Sequence, residues 1–336
     1  LESGLETAEF KLKGNGVWIY PKTKDLRKEN KIIRELIEFN DFEKIPLDVS
    51  EDISKKIELP DQDTYRESLE NGLKIKTTCP VCEKKWDNHN ENDKIACLTD
   101  YEPPISSKFT RELKPHQKLS VAQLLAISNG ANFSVPGSGK TTITYAVLSK
   151  WLEDKIIDKI LVIGPIASFA PWEDEYELCF GKPIKSKRIR GADNASNLSH
   201  LDHDLFLMHF TTASLYVGYI IEFLQKYNVA LIIDESHNIK SPSIKTWARS
   251  VLALAPYARR RLILSGTPMP QNAEDLWTQF TFLWPYDNPL DMNHRYRRYA
   301  KNHGIGKYAD NIKPLFTRVT KKDLGLLEPE FIPVTV

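Results

Sequence analysis

The 336-residue chain carries 46 Lys and Arg against 45 Asp and Glu, a net charge of +1, with 41% hydrophobic residues. That hydrophobic share supports folded cores, and the length allows two domains. A near-neutral balance excludes a global pull toward nucleic acid, so any such contact must use a local patch. No apolar run approaches the roughly 18–20 residues of a membrane span, and no secretory h-region opens the chain. A soluble intracellular protein is expected, cytoplasmic if bacterial and nuclear if eukaryotic. The sequence opens at Leu1 and reaches its first methionine at Met208, as an excised or renumbered piece of a longer protein would.

Residues 1–108 read as a small α+β accessory domain. Lys22 to Lys31 is charge-dense, which is most simply a solvated face. Ile32, Ile33, Leu36 and Ile37 fall at helical spacing within 29–39, residues 45–59 alternate weakly up to Pro60, and a polar helix is expected around 64–71. Of four cysteines, three lie between 79 and 97, a usage that suits metal binding in a reducing compartment better than a disulfide framework. Cys79-Pro80-Val81-Cys82 is the C-x-x-C turn of a zinc knuckle, and His89 and Cys97 are the available third and fourth ligands for Zn²⁺. Trp86 and Asp87 could pack or orient the site, whereas the polar stretch 87–93 reads equally well as a loop. A zinc site and three unliganded cysteines both remain open. Cys179, among apolar neighbours, reads as a core residue.

From Phe109 the pattern changes. Leu113-Lys114-Pro115-His116-Gln117 precedes an apolar helix over 119–128. Gln117 stands twenty residues before Gly137, and its amide can match the N6 and N7 edge of an adenine. Phe133-Ser-Val-Pro-Gly-Ser-Gly-Lys-Thr-Thr142 then lies between a short strand expected at 132–135 and a helix expected at 141–152. Gly137 and Gly139 let successive backbone N–H groups curl toward one anion, with Ser138 between them, and the helix adds its positive end. Lys140 would reach the β- and γ-phosphates of ATP, and the Thr141 hydroxyl would join the Mg²⁺ shell beside Thr142. The usual pattern has glycine where this chain has Ser134.

Short apolar runs at 160–164, 204–210, 229–233 and 261–265 alternate with helical stretches, the signature of a parallel sheet covered on both faces. Ligands of such sheets bind at the carboxyl ends of the strands. Asp234-Glu235-Ser236-His237 stands at one such end. There Asp234 can hold Mg²⁺, and Glu235 can orient or deprotonate the attacking water. Ser265-Gly266-Thr267-Pro268 stands at another, where small hydroxyl residues can bond the acidic pair and relay its state to another surface.

In order, these elements resemble the first RecA-like motor lobe of the superfamily-two helicases, specifically the Swi/Snf-type DNA translocases, over about residues 109–330. Residues 113–117 are similar to the Q-motif, 137–141 to motif I and 161–165 with Trp172 and Glu173 to motif Ia. Residues 210–213 resemble motif Ib, and 234–237 continued by Asn238-Ile239-Lys240 resemble a DEAH-like motif II. Residues 264–268 with Gln271, Asn272, Leu276 and Trp277 resemble motif III and its flank, and 316–324 the segment leading out of the lobe. Val135-Pro136 departs from the family's motif I and marks a divergent branch.

The resemblance implies a P-loop NTPase with a RecA-like parallel sheet over residues 109–336, using ATP and Mg²⁺. It implies Lys140, Asp234 and Glu235 as catalytic and Ser265, Gly266 and Thr267 as coupling residues. Pro165, Ser168, Thr211 and Thr212 would hold the phosphate backbone of double-stranded DNA without reading bases. The family's second RecA-like lobe, expected outside residues 1–336, brings an arginine finger, a class of contact worth about 10³–10⁵ in rate. Two basic runs, Lys182, Lys185, Lys187, Arg188 and Arg190, then Arg259, Arg260 and Arg261, are either DNA contacts or solvated surface. A double-strand translocase is the leading expectation, favoured by Trp172-Glu173 and Pro270-Gln271-Asn272. A nucleotide-gated binding or regulatory module and an RNA helicase are the alternatives. The divergent motif and unfamiliar N-terminus suggest a bacterial defence or restriction setting, with complex partners from that pathway.

Overall fold

The structure, a computed structural model, describes residues 8–13, 16–21, 65–239, 247–268, 275–285, 288–290 and 312–325. The helix expected over 29–39, the alternating stretch 45–59, Lys240, Pro270, Gln271 and Asn272 lie outside the described residues. Strands β1 (Ala8–Lys13) and β2 (Gly16–Pro21) pair antiparallel as an N-terminal hairpin.

The body of the fold is a seven-stranded parallel sheet. Its strands are β3 (Gly130–Asn132), β4 (Lys159–Ile163), β5 (Ser186–Ile189), β6 (Leu205–Met208), β7 (Val229–Ile233), β8 (Arg260–Leu264) and β9 (Phe316–Thr317), in the order β5-β6-β4-β7-β8-β3-β9. The central strands are apolar on both faces because helices cover both. Alternate residues divide between two cores: Leu161, Ile163, Leu231 and Ile233 join one, and Ile160, Val162, Ala230 and Ile232 the other. Each such fully buried aliphatic side chain stabilises by roughly 1.5–3 kcal/mol.

The four apolar runs read from sequence form strands within two residues of their expected ends. The strand expected at 132–135 sits earlier, at β3, although the chain stays tied to the next segment through Phe133 N–H to Thr317 O at 2.9 Å and Val135 N–H to Val319 O at 3.1 Å. Two strands of this sheet are additions. The stretch 186–189, read as part of a basic run, is the edge strand β5, and the expected lead-out segment supplies β9 beside β3.

The second basic run is corrected at Arg261. It is 1% exposed, with Nε donating to Leu283 O at 2.8 Å and Nη1 to Ala255 O and Ala258 O at 2.9 Å each. A guanidinium fixed on three carbonyls is not a DNA contact. It lies at the amino end of β8, across the sheet from the phosphate loop.

Helix α1 (Tyr65–Thr77) takes up the polar helix expected around 64–71 and continues to the knuckle, and α2 (Glu91–Asp100) follows it. Next come α3 (Pro115–Ala126), α4 (Lys140–Glu153), α5 (Phe169–Phe180) and the short α6 (Phe210–Leu215). Tyr65 and Leu69 of α1 pack on the core of the sheet. Among the described residues no helix is long and apolar enough to cross a membrane.

Candidate nucleotide and DNA site

The sheet order makes the site. β3, β8 and β7 are neighbours, so the phosphate loop, residues 265–268 and residues 234–237 leave the same edge side by side. Gly139 is the residue before α4 at φ 80°, a left-handed backbone that glycine adopts without strain. A side chain there would also collide with the Gln117 amide.

The fit to a phosphate chain rests on donors. The first N–H groups of α4 have no intrahelical acceptors, a property of any helix start. The buried Ser138 hydroxyl has no hydrogen-bond partner among the described residues. Lys140 Nζ folds back over the loop, donating to Ser134 O at 3.1 Å. Burial pushes the Lys140 ammonium below its ordinary range, while the nearby Glu235 and Asp234 charges act to raise it. Thr141 is half-buried at the start of α4. Thr142 differs from expectation: its buried hydroxyl donates to Glu175 on α5, which leaves its backbone N–H for an anion.

Ser134 now has a physical reason. Its buried hydroxyl accepts the Val319 N–H at 2.9 Å, which joins the loop to the segment after β9 as glycine could not. Pro136 likewise packs against Gly266, so the divergent pair forms a contact with residues 265–268.

Gln117 is buried at the first turn of α3. Its Oε1 accepts the Lys114 N–H at 2.9 Å, and its Nε2 donates to Ser138 O at 3.3 Å. His116 Nε2 donates to the same carbonyl at 3.3 Å. In this structure the glutamine clamps the phosphate loop.

Asp234 follows β7, where both its oxygens accept protein donors. Trp172 Nε1 donates to Oδ2 at 3.0 Å, and the Glu235 N–H donates to Oδ1 at 2.9 Å. Gly164 permits the close approach, since a Cβ there would stand 2.9 Å from Asp234 Cβ. Glu235 itself lies at φ 51°, an uncommon and strained backbone for a residue with a side chain. Its Oε2 is 3.2 Å from His237 Nδ1, which is 3.3 Å from Ser265 Oγ, and that hydroxyl accepts the Thr267 N–H at 3.1 Å. The expected link from Ser265 to the acidic pair therefore runs through His237. A second link passes from Ser236 Oγ to Gln279 Oε1 at 2.7 Å and from Gln279 Nε2 to Pro268 O at 2.7 Å.

The residues expected to meet DNA lie at the carboxyl ends of β4 and β6. Pro165 is half-exposed, Thr211 exposed and Thr212 half-buried, while Ser168 Oγ donates to Pro165 O at 2.9 Å. α6 is anchored by Phe210 stacked on Trp247, with ring centroids 5.1 Å apart. Arg188 on β5 pairs with Glu173, and Lys185, just before the strand, pairs with Asp202, so two charges of that basic run already have acidic partners.

Sequence reasoning assigned no role to Glu175 or Arg111, or to Trp172 as a partner of Asp234. Arg111 Nη1 holds Glu175 at 2.6 Å, and Glu175 holds Thr142. The available signal was spacing: Trp172, Glu175 and Tyr176 fall at i, i+3 and i+4 on one face of α5, the face that meets α4. Cys179, on the same helix, is fully buried as expected, and burial pushes its thiol up to about 12.

The other chemical cluster is Cys79, Cys82, His89 and Cys97, whose ligand atoms all lie within 4.8 Å of one another.

A glycine-rich loop, a strand-end acidic pair and a coupled serine on adjacent parallel strands define a P-loop lobe of RecA-like fold. The SNF2-related domain family matches residues 83–333, and the chain belongs to that family, in which it forms the N-terminal RecA-like lobe. It is 27% identical over 247 residues to the human "DNA excision repair protein ERCC-6-like", covering 63% of this chain and 19% of that protein. It is 29% identical over 206 residues to "Helicase SWR1" of Yarrowia lipolytica, covering 57% and 11%. The Sulfolobus solfataricus SWI2/SNF2 ATPase core, solved in complex with dsDNA, shares the fold with a TM-score of 0.55 at 22% identity, over 67% of this chain and 48% of that one. The chain thus spans a fifth or less of the length of these two curated relatives.

Proposed function

We propose that the protein containing this lobe is an ATP-driven motor that translocates on double-stranded DNA. The observation that carries the proposal is α5. It begins just after Pro165 and Ser168, the expected DNA contacts, and its Trp172 and Glu175 hold Asp234 and Thr142 of the nucleotide site. A shift of the DNA-facing loop is then felt at the acidic pair and at the start of α4.

Gly137, Ser138, Gly139, Lys140 and Thr141 hold the phosphates, together with the Thr142 N–H, and Gln117 positions the loop or the adenine. Thr141 and Asp234 would hold Mg²⁺, which offsets phosphate charge when bound. The Glu235 carboxylate orients the attacking water and takes its proton, and His237 carries its state to Ser265 and Thr267. Pro165, Ser168, Thr211 and Thr212 meet DNA phosphates, and a second RecA-like lobe supplies the transition-state arginine. Residues 1–108 serve as an accessory unit. The solved Sulfolobus core with bound dsDNA and the repair and helicase names of the relatives support this choice of substrate. The divergent Val135-Pro136 pair supports a defence or restriction setting, which loss of phage resistance on deleting the gene would test.

ATPase measurements on the full-length protein with duplex DNA, single-stranded DNA and RNA decide between functions. Stimulation by duplex DNA is expected. Stimulation by RNA alone refutes the proposal, and no stimulation by any of the three makes the lobe a nucleotide-gated switch.

A further inference from the structure

We infer that Cys79, Cys82, His89 and Cys97 bind one Zn²⁺ in a closed structural site, and that this ion holds helix α2 against α3 behind the nucleotide loop. The inference is independent of the motor function.

The ligand set is pre-arranged. Around the C-x-x-C turn the backbone closes through Glu83 N–H to Cys79 O at 3.0 Å and Cys79 N–H to Lys84 O at 2.8 Å. Thr78 and Lys85 form an antiparallel bridge across it. Glu83 takes the left-handed backbone at φ 57°, a cost that only a tightly determined turn sustains. His89 is oriented by its other nitrogen. Nδ1 donates to Lys85 O at 3.1 Å, which leaves the Nε2 lone pair facing the Cys82 sulfur 3.1 Å away. A backbone partner on one imidazole nitrogen is the usual support for a metal on the other.

Tetrahedral Zn²⁺ with sulfur ligands at about 2.3 Å needs donor atoms roughly 3.5–4 Å apart. The 4.8 Å envelope of the cluster admits this with small side-chain rotations. Three thiolates and one imidazole favour zinc over hard cations. Four protein ligands leave no open position for chemistry, so the site is structural.

A second observation comes from α2. This ten-residue helix has no buried residue, and Ile95 on it is 57% exposed. Isolated helices of that length are marginal in water, and burial of an apolar face does not compensate here. What fixes it is Cys97 at one point and Lys118 of α3 at another. The Lys118 ammonium donates to Thr99 O and Glu102 Oε1, both at 2.7 Å. The knuckle is tied in turn to α1 by Trp86 Nε1, which donates to Ile75 O at 3.0 Å. α1 is tied to α3 by Gln123 Nε2, which donates to Gly72 O at 3.2 Å. Coordination of Cys97 with the knuckle closes this ring of contacts. Trp86, Ile95 and Leu98 then form one wall of a groove of about 780 Å³ whose other wall includes His116 and Leu119 of α3.

The protein, purified without chelators and reduced, is expected to carry one equivalent of zinc by elemental analysis. Replacement by Co²⁺ should give the thiolate charge-transfer and ligand-field bands of a tetrahedral site, a reading on the wild type that needs no variant to fold. Cys82→Ser and Cys97→Ser should lose the metal, and Cys179→Ala should keep it. Titrating the zinc out with a mercurial should raise hydrogen exchange in 91–100 while leaving 140–153 protected. Less than about half an equivalent of metal overturns the inference, as does a disulfide between any two of the three cysteines in protein never exposed to reductant. Unchanged exchange in 91–100 after zinc release overturns the claim that the ion holds α2.

Discussion

Glu235 allows a backbone prediction with a reversed sign. At φ 51° a residue bearing a Cβ is destabilised by about 1–2 kcal/mol relative to right-handed backbone, and glycine is not. Glu235→Ala and Glu235→Gly both remove the pair with His237, whose two side chains are 40% and 31% exposed and whose worth is at most about 1 kcal/mol. That loss cancels in the comparison. In an ordinary helix or strand the glycine variant would be the less stable by about 0.5–1 kcal/mol. Here it should be the more stable by about 1 kcal/mol, a difference of roughly 2–4 °C in Tm for a unit of this size. The assay is thermal and urea unfolding of the two variants side by side without nucleotide. An alanine variant as stable as the glycine variant would refute the claim that the junction after β7, with Asn238 N–H bonded to Glu235 O at 3.0 Å, imposes the conformation.

Lys140→Ala should abolish nucleotide binding in a titration with labelled ATP, while Glu235→Gln in the full-length protein should bind normally and fail to hydrolyse; normal turnover would remove Glu235 from the chemistry. Trp172→Phe removes one hydrogen bond to a carboxylate, worth about 1.5–3 kcal/mol, so kcat should fall about 10- to 100-fold with nucleotide affinity little changed. An unchanged kcat would reduce Trp172 to a packing role. Lys185/Lys187/Arg188 triple alanine should leave the salt dependence of DNA affinity unchanged, because Lys185 and Arg188 already have acidic partners; a shallower slope would place β5 in the interface. Burial, with Lys313 nearby, lowers the Lys76 ammonium to about 8. The folded state therefore binds that proton less tightly than the unfolded one, and the penalty is fully present below pH 8 and vanishes by the ordinary lysine range. Lys76→Met should raise stability at pH 7 by about 1–2 kcal/mol after allowance for solvent screening, and the gain should shrink between pH 8 and 10.5. A gain independent of pH would assign it to packing.

The sequence by itself determined the features of the nucleotide site whose chemistry is contiguous. The glycines around Ser138, the lysine that follows, the acids closing an apolar run and the small residues closing the next are contiguous, and their chemistry follows from residue type and spacing. The four central strands were legible because burial on both faces leaves an unbroken apolar run. β5 and β9 were not: the first spans four residues and the second two, too few for a period of two to show, and Lys187 and Arg188 of β5 imitate a surface patch. Only the tertiary structure decided which side chains serve the site from a distance. Parallel order places strands far apart in sequence side by side, so Asp234 meets Trp172, Glu175 meets Thr142, and the hydroxyl of Ser134 meets Val319. Each of these bonds depends on strand order and helix facing, which no local spacing encodes. The departure at Ser134, which looked like a weakened motif, is for that reason a tie between the phosphate loop and the segment that follows β9.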